Sequence, residues 1–231
     1  MTDQVRYYND FGKIHEKNIL DCPEPEYWTT DYSEKGRIYQ EMKLRIAQQQ
    51  ELIIRYFNKA EPILDIGCGF GRQAVWLARN GFAVTGTDTS AVFISIVQKI
   101  FANLGYKGNF ICMDLISQQV PGKFKQVLLL DVLEHIDPSR RKKFAMRLNE
   151  LTQKEAVLIV SLPHTRKRLS SWLNNRIRKN ITRHFSWFLK KEEHPYPVPG
   201  RNKVLKLLHP VFSLERNIET SKTDYYIFRR N

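Results

Sequence analysis

From Pro62 to Ser161 the sequence alternates between short apolar runs and longer mixed ones, and this rhythm narrows the choice of fold more than any other feature. Strands fit Ile63–Ile66, Ala83–Thr87, Phe110–Met113, Val127–Leu130 and Val157–Ser161. Helices fit between them: Gly71–Asn80 stopped by Gly81, Ser90–Leu104 stopped by Gly105, and Pro138–Leu151 opened by Asp137 as N-cap. Strands separated by helices of this length build a parallel, doubly wound α/β sheet, whose crossovers are right-handed. Beyond Ser161 the pattern changes. Asn202–Leu208 reads as one more helix, and Val211–Glu219 and Asp224–Arg230 read as strands joined by a short polar turn. The expected fold class is therefore a Rossmann-like sheet, mostly parallel, that ends in an antiparallel hairpin. Ahead of Pro62, Arg37–Asn58 reads as a long helix, while residues 1–35 show no clear period.

Composition narrows the function classes. Of 231 residues, 42% are apolar, which is enough for a folded core and rules out global disorder. No run approaches the ~20 apolar residues of a membrane span, and Met1–Gln4 lead into no signal-like segment. Cys22, Cys68 and Cys112 are scattered with no C-x-x-C spacing, which suggests reduced thiols rather than a disulfide framework or a zinc site. A cytoplasmic protein is the expectation. Lys and Arg exceed Asp and Glu by 37 to 24, a net charge of +13. Such an excess calls for an anionic partner.

The segment Ile63-Leu64-Asp65-Ile66-Gly67-Cys68-Gly69-Phe70-Gly71-Arg72 is a strand, a Gly-x-Gly-x-Gly turn and the start of a helix. Glycines at such a turn let the backbone reverse sharply and approach a ligand, while helix N–H groups face its polar end. Seventeen residues past Gly71, Asp88 closes the second strand, where an acid can accept both hydroxyls of a ribose. Together these features point to nucleoside binding. The third glycine of a pyrophosphate-binding fingerprint would stand at Arg72 instead.

With its Asp-x-Gly-x-Gly-x-Gly pattern, the chain resembles the class I S-adenosylmethionine-dependent methyltransferases from residue 60 to 161, and the terminal hairpin agrees. The resemblance implies S-adenosylmethionine as cofactor, with Asp65, Gly67, Cys68, Gly69 and Gly71 around its methionine part. By the same resemblance Asp88, followed by Thr89, would hold the ribose. Met113 and Asp114 would frame the adenine, and Leu130 would line the methionine end. The expected organisation is a single α/β methyltransferase domain over residues 61–231 with an N-terminal helical cap over residues 1–60.

Asp131-Val132-Leu133-Glu134-His135 follows the fourth strand at the carboxyl edge of the sheet. This stretch is similar to that of small-molecule methyltransferases, including the ubiquinone-pathway O-methyltransferases, in which an acid-x-x-Glu-His element is associated with a divalent cation. The resemblance implies Mg²⁺ on Asp131, Glu134 and His135, with Asp131 standing where the pattern has Glu. Methyl transfer to a phenol or enol oxygen needs that oxygen deprotonated, and a histidine can take the proton near neutral pH. His135 and Glu134 are therefore the catalytic candidates, and a small-molecule or lipid-like (quinone-like) acceptor is expected. No Asn/Asp-Pro-Pro-aromatic stretch and no cysteine stands there, as base-modifying enzymes would require.

Between Pro163 and Lys191 lie nine basic residues and no acidic one, Arg166 through Lys191, supplying +9 of the net +13. Leu169, Trp172, Leu173, Ile177, Ile181, Phe185 and Phe188 recur at helical spacing through the same stretch. Three accounts fit this insertion, at about 163–200: a lid over the cleft, a helix in an anionic membrane interface at the inner membrane face, and an RNA-tracking surface, which would make the protein an RNA-binding methyltransferase.

Overall fold

The computed structural model describes residues 3–29, 37–118, 120–163 and 196–231. The basic insertion, including its apolar helical stripe, thus falls outside the described residues.

Seven strands form one sheet in the order β3-β2-β1-β4-β5-β7-β6. They are β1 (Ile63–Ile66), β2 (Val84–Asp88), β3 (Asn109–Cys112), β4 (Phe124–Leu130), β5 (Thr152–Pro163), β6 (Phe212–Glu219) and β7 (Thr223–Arg230). Strands β1 to β5 pair in parallel, whereas β7 runs antiparallel to both β5 and β6. The mostly parallel sheet with a terminal hairpin is the expected architecture. Central strands are buried on both faces, which is why they read as mostly apolar runs. Successive residues feed opposite layers: Ile63 and Leu128 pack with one cluster, Leu64, Val127 and Leu129 with the other.

Helices cover both faces. α1 (Asp3–Leu20), α2 (Arg37–Tyr56), α3 (Arg72–Arg79) and α4 (Ala91–Leu104) contribute to the first cluster, and α5 (Arg141–Leu151) and α6 (Arg201–Leu208) to the second. Ser90 caps α4 by accepting from the Phe93 N–H at 3.2 Å, and Gly105 ends it in the left-handed conformation. Two boundaries differ from expectation. Asp137 does not cap α5: its Oδ1 accepts from Ser139 N and Oγ at 2.8 and 2.6 Å, closing a turn that delays the helix to Arg141. Residues 3–20, where no helix is expected, form an 18-residue helix. α1 is stabilised by tertiary packing rather than by its own pattern. Tyr8 and Phe11 pack against the core cluster that holds Phe93 of α4, and Ile19 is fully buried within it.

The link from α2 to β1 is held by one buried side chain of β4. Gln126 donates from Nε2 to the carbonyls of Asn58 and Glu61 at 2.9 and 2.8 Å and accepts from Asn58 N–H. This anchors the C-terminal end of α2 beside the start of β1.

Candidate active site

The turn after β1 is shaped by its glycines. Gly67, Gly69 and Gly71 have φ of +74°, +56° and +93°, a region that costs other residues energy. A Cβ on Gly71 would lie 2.3 Å from Val97 Cγ2, so only glycine lets the turn settle against α4. The turn is tied to β2: Gly67 and Cys68 donate to the Thr87 carbonyl at 2.7 and 3.0 Å, and Gly69 donates to Asp88 Oδ2 at 2.9 Å. Asp88 Oδ1 also accepts from Ser90 N–H at 2.8 Å, so one carboxylate organises both the loop and the start of α4. Burial pushes its pKa up, against the pull of these N–H groups.

Beside this loop is a cavity of about 540 Å³. Asp65, Gly67, Cys68 and Gly69 line one side and Leu130 and Asp131 another. Asp65 is almost fully buried, and its Oδ2 has no hydrogen-bond partner among the described residues. Burial, and secondarily the charge of Asp88, raise its pKa to about 7. An unpartnered buried carboxylate on a cavity wall is costly until a cationic or hydrogen-bond-donating ligand meets it. Cys68 packs within the loop with its thiol directed to the Gly69 carbonyl at 3.6 Å, and burial pushes that thiol well up, leaving it inert.

The remaining nucleoside candidates lie along the carboxyl ends of β2 and β3. Thr89 is exposed beside Asp88, and Met113 is buried with its N–H on the Asp88 carbonyl at 2.8 Å. Asp114 Oδ2 pairs with Arg140 at 2.6 Å while Oδ1 accepts from Ile116 N–H at 3.0 Å. Partial burial would raise the Asp114 pKa, but the Arg140 guanidinium and these bonds hold it below the usual carboxylate range. None of Asp88, Thr89, Met113 and Asp114 lines the cavity itself.

The Asp131–His135 element is the main correction. Asp131 has φ +55°, unusual for a residue with a Cβ, and is clamped there. Its Oδ1 accepts from Ser161 Oγ at 3.1 Å, its N–H donates to Ser161, and its Oδ2 pairs with Arg45. A single 3₁₀ turn, Leu133–His135, then sends the next two groups elsewhere. Glu134 is fully buried with neither carboxylate oxygen paired to another side chain among the described residues, and burial raises its pKa to about 7 against the pull of its own backbone N–H and of Arg45 and Arg141. His135 meets Tyr8, whose hydroxyl lies 3.4 Å from Nδ1, with the rings edge to face at 85°. The three groups do not converge, and among the described residues no cluster of three or more His, Cys, Asp or Glu is placed to hold a metal ion. A Mg²⁺ site on Asp131, Glu134 and His135 is not supported.

The other walls come from elements that motif reading passed over. Tyr7, Tyr8 and Phe11 of α1 and Met42, Arg45, Ile46 and Gln49 of α2 line the cavity, as do Arg72, Phe93, Lys222 and Thr223. The spacing 42, 45, 46, 49 is a single helix face, so a signal existed in α2 for a wall of mixed apolar and polar character.

Residues 63–155 match the family model of a methyltransferase domain. The ubiquinone biosynthesis O-methyltransferase of Dechloromonas aromatica (strain RCB) is 33% identical over 76 residues, which is 32% of this chain and 33% of that protein. The enzyme of the same description from Rickettsia felis is 26% identical over 176 residues, 72% of this chain and 70% of its own length. Among solved structures, magnesium protoporphyrin IX methyltransferase from Synechocystis PCC 6803 with bound SAH superposes with a TM-score of 0.73, covering 98% of this chain and 97% of that one at 21% identity. No helix of the described residues is long and apolar enough to cross a membrane. Residues 63–155 thus carry a methyltransferase domain, and the strand order with its reversed final hairpin and the glycine turn joined to Asp88 make the chain similar to the class I S-adenosylmethionine-dependent methyltransferases.

Proposed function

We propose that the cavity binds S-adenosylmethionine and that the chain methylates a small-molecule acceptor on oxygen. One observation carries this most directly: a buried Asp65 carboxylate on the cavity wall, whose Oδ2 has no partner among the described residues, next to a glycine turn joined to Asp88. Bound S-adenosylmethionine supplies an activated methyl group on a sulfonium, and its cationic methionine end suits that carboxylate. Asp88 has the chemistry to accept ribose hydroxyls while it holds the turn. Asp114 would take the adenine amine only in exchange with, or alongside, its Arg140 partner.

His135 holds the acceptor proton in this proposal, and the Tyr8 hydroxyl orients the ring from α1. Glu134, sealed beneath the turn, acts through its charge rather than by touching the acceptor. The Asp88→Ala variant should bind S-adenosylmethionine roughly 2–3 kcal/mol more weakly, because buried hydroxyls lose a charge-assisted partner. Calorimetry that finds unchanged affinity, or tighter binding of NAD than of S-adenosylhomocysteine, sinks the cofactor assignment. His135→Ala should lower turnover ~10²-fold with cofactor affinity nearly intact, and Tyr8→Phe should lower it less. Turnover that survives both changes leaves orientation alone as the source of rate.

The acceptor fits a membrane-resident, quinone- or lipid-like molecule if the basic insertion meets an anionic surface. The support is in the sequence: nine cations, no anion, an apolar stripe and two tryptophans, Trp172 and Trp187. A lid needs no charge excess and an RNA surface needs no regular apolar face, whereas an interfacial helix needs both. Flotation with vesicles containing anionic lipid should carry the protein upward at low salt. Charge reversal at Arg178, Lys179 and Arg183 should release it, and Trp172→Ala should weaken binding further. Protein that stays in the unbound fraction at low salt ends the membrane account.

A further inference from the structure

Two faces of α1 meet different parts of the protein. Asn9, Gly12 and Glu16 stand three and four residues apart, so they share one face, and that face lies along α4. Asn9 Oδ1 accepts from Ser90 Oγ at 2.7 Å and from Val92 N–H at 3.4 Å. A Cβ on Gly12 would lie 2.7 Å from Val92 Cγ1, so the two helices approach closely there. Glu16 pairs with Lys99 at 2.6 Å on the exposed side. These contacts advance together along both helices and set their register. Tyr8 and Phe11 occupy the neighbouring face, which packs on Phe93 and reaches the cavity.

Both ends of this seating touch the site. Ser90 is fully buried, and its N–H donates to Asp88 Oδ1 at 2.8 Å while its hydroxyl donates to Asn9 and accepts from Phe93 N–H. Tyr8, the residue before Asn9, places its hydroxyl 3.4 Å from His135 Nδ1. A run of contacts therefore leads from the ribose-side acid through Ser90, Asn9 and Tyr8 to the histidine. Its one link through the chain is the helical backbone between Asn9 and Tyr8, which is stiff.

We infer that Asn9 is a positioning residue: by seating α1 on Ser90 it sets the Tyr8 hydroxyl against His135, and it couples the cofactor site to the posture of that ring. This rests on the roles given above to Asp88 and His135. The apolar contacts of Tyr8 and Phe11 hold α1 close to α4, but they are non-directional and resist rotation of the helix weakly. The Asn9 hydrogen bonds have preferred angles and resist it. A tyrosine hydroxyl stands far from the helix axis and moves most in such a rotation, and a 3.4 Å contact has little slack before it is lost. Asn9 also supplies an acceptor to Val92 N–H, one of the first amides of α4, which have no partner within their own helix.

The test reads the ¹⁵N shifts of the His135 ring by NMR in the full chain, because they report which ring nitrogen carries the proton. In the free protein, Asn9→Ala should reproduce about half or more of the change made by Tyr8→Phe, and adding it to Tyr8→Phe should change little further. Ser90→Ala removes the donor but leaves the backbone N–H on Asp88, so it should act in the same direction. Glu16→Gln breaks the contact at the exposed end and should leave the ring as in the parent. Saturating S-adenosylhomocysteine should shift the ring in the parent, and by less than about half as much in Asn9→Ala. The inference is overturned if folded Asn9→Ala leaves His135 as in the parent, if its effect simply adds to that of Tyr8→Phe, or if the S-adenosylhomocysteine shift is the same without Asn9. Should Asn9→Ala fail to fold, Ser90→Ala decides by the same criteria. Protein that takes up no S-adenosylhomocysteine fails the cofactor assignment instead, and the comparison of variants in free protein still decides the role of Asn9.

Discussion

Asp65→Asn is expected to move stability and cofactor affinity in opposite directions. The carboxylate is buried, its Oδ2 has no partner among the described residues, and its pKa stands at about 7 against a reference of 3.8. That difference corresponds to at most about 4 kcal/mol favouring the protonated form in the folded chain. Because the folded pKa lies above the unfolded one, Asp65's contribution to stability is fully present below about pH 4. It is lost as the pH rises through about 7. Asparagine carries no charge to bury, so at pH 8 the free variant should be more stable by one to a few kcal/mol, and at pH 5 by much less. Urea unfolding at the two pH values reads this directly. The same variant should bind S-adenosylmethionine roughly ten- to a hundredfold more weakly, since a charge-assisted contact to the cationic end is gone. In the parent protein that affinity should fall as the pH drops below about 7, where the carboxylate takes up a proton. A variant that is less stable at pH 8, or that binds the cofactor undiminished, contradicts the role given to Asp65.

Gly71→Ala should be the more damaging change to the fold. Its φ of +93° costs an alanine ~1–2 kcal/mol, and the new methyl would lie 2.3 Å from Val97 Cγ2, inside the well-packed α4 contact. Together these give a loss of about 3–5 kcal/mol, a large share of the stability of an ordinary domain. Gly69→Ala is the matched control. Its φ is +56°, but an added Cβ meets nothing within 4 Å, so only the backbone term remains, ~1–2 kcal/mol. Denaturation should separate the two variants by ~2 kcal/mol, with Gly69→Ala folding well and losing cofactor affinity instead. Equal stabilities would mean that the turn does not need glycine for its contact with α4.

The parts of this protein that were legible in its sequence share a physical trait: their signal is local. Ile63–Ile66 and Val127–Leu130 read as strands because a two-face-buried parallel sheet demands mostly apolar runs, interrupted in the first only by Asp65, and they lie within the observed strands. The glycine turn and Asp88 were legible because positive φ and close approach restrict residue choice at fixed spacing. Ser90 and Gly105 marked the ends of α4 through capping chemistry that acts over three or four residues.

What only the tertiary structure decided depends on contacts between distant segments. The role of α1 was not legible, because its aromatic side chains find their partners on α4 and on the turn that holds His135. Asp131, Glu134 and His135 suggest a ligand set when read along the chain. A positive φ at Asp131 and a 3₁₀ turn after it send one to Arg45, bury the second and give the third, His135, to Tyr8, 127 residues away. Arg45 and Lys222 are ordinary surface cations in sequence and become neighbours of one cavity only because β7 inserts beside β5 and α2 crosses above them. The sequence by itself determined the sheet, its cofactor-type turn and its charge. Which side chains face one another across the cavity was decided by packing, since side-chain direction at a loop or an amphipathic helix is set by what the rest of the chain places opposite it.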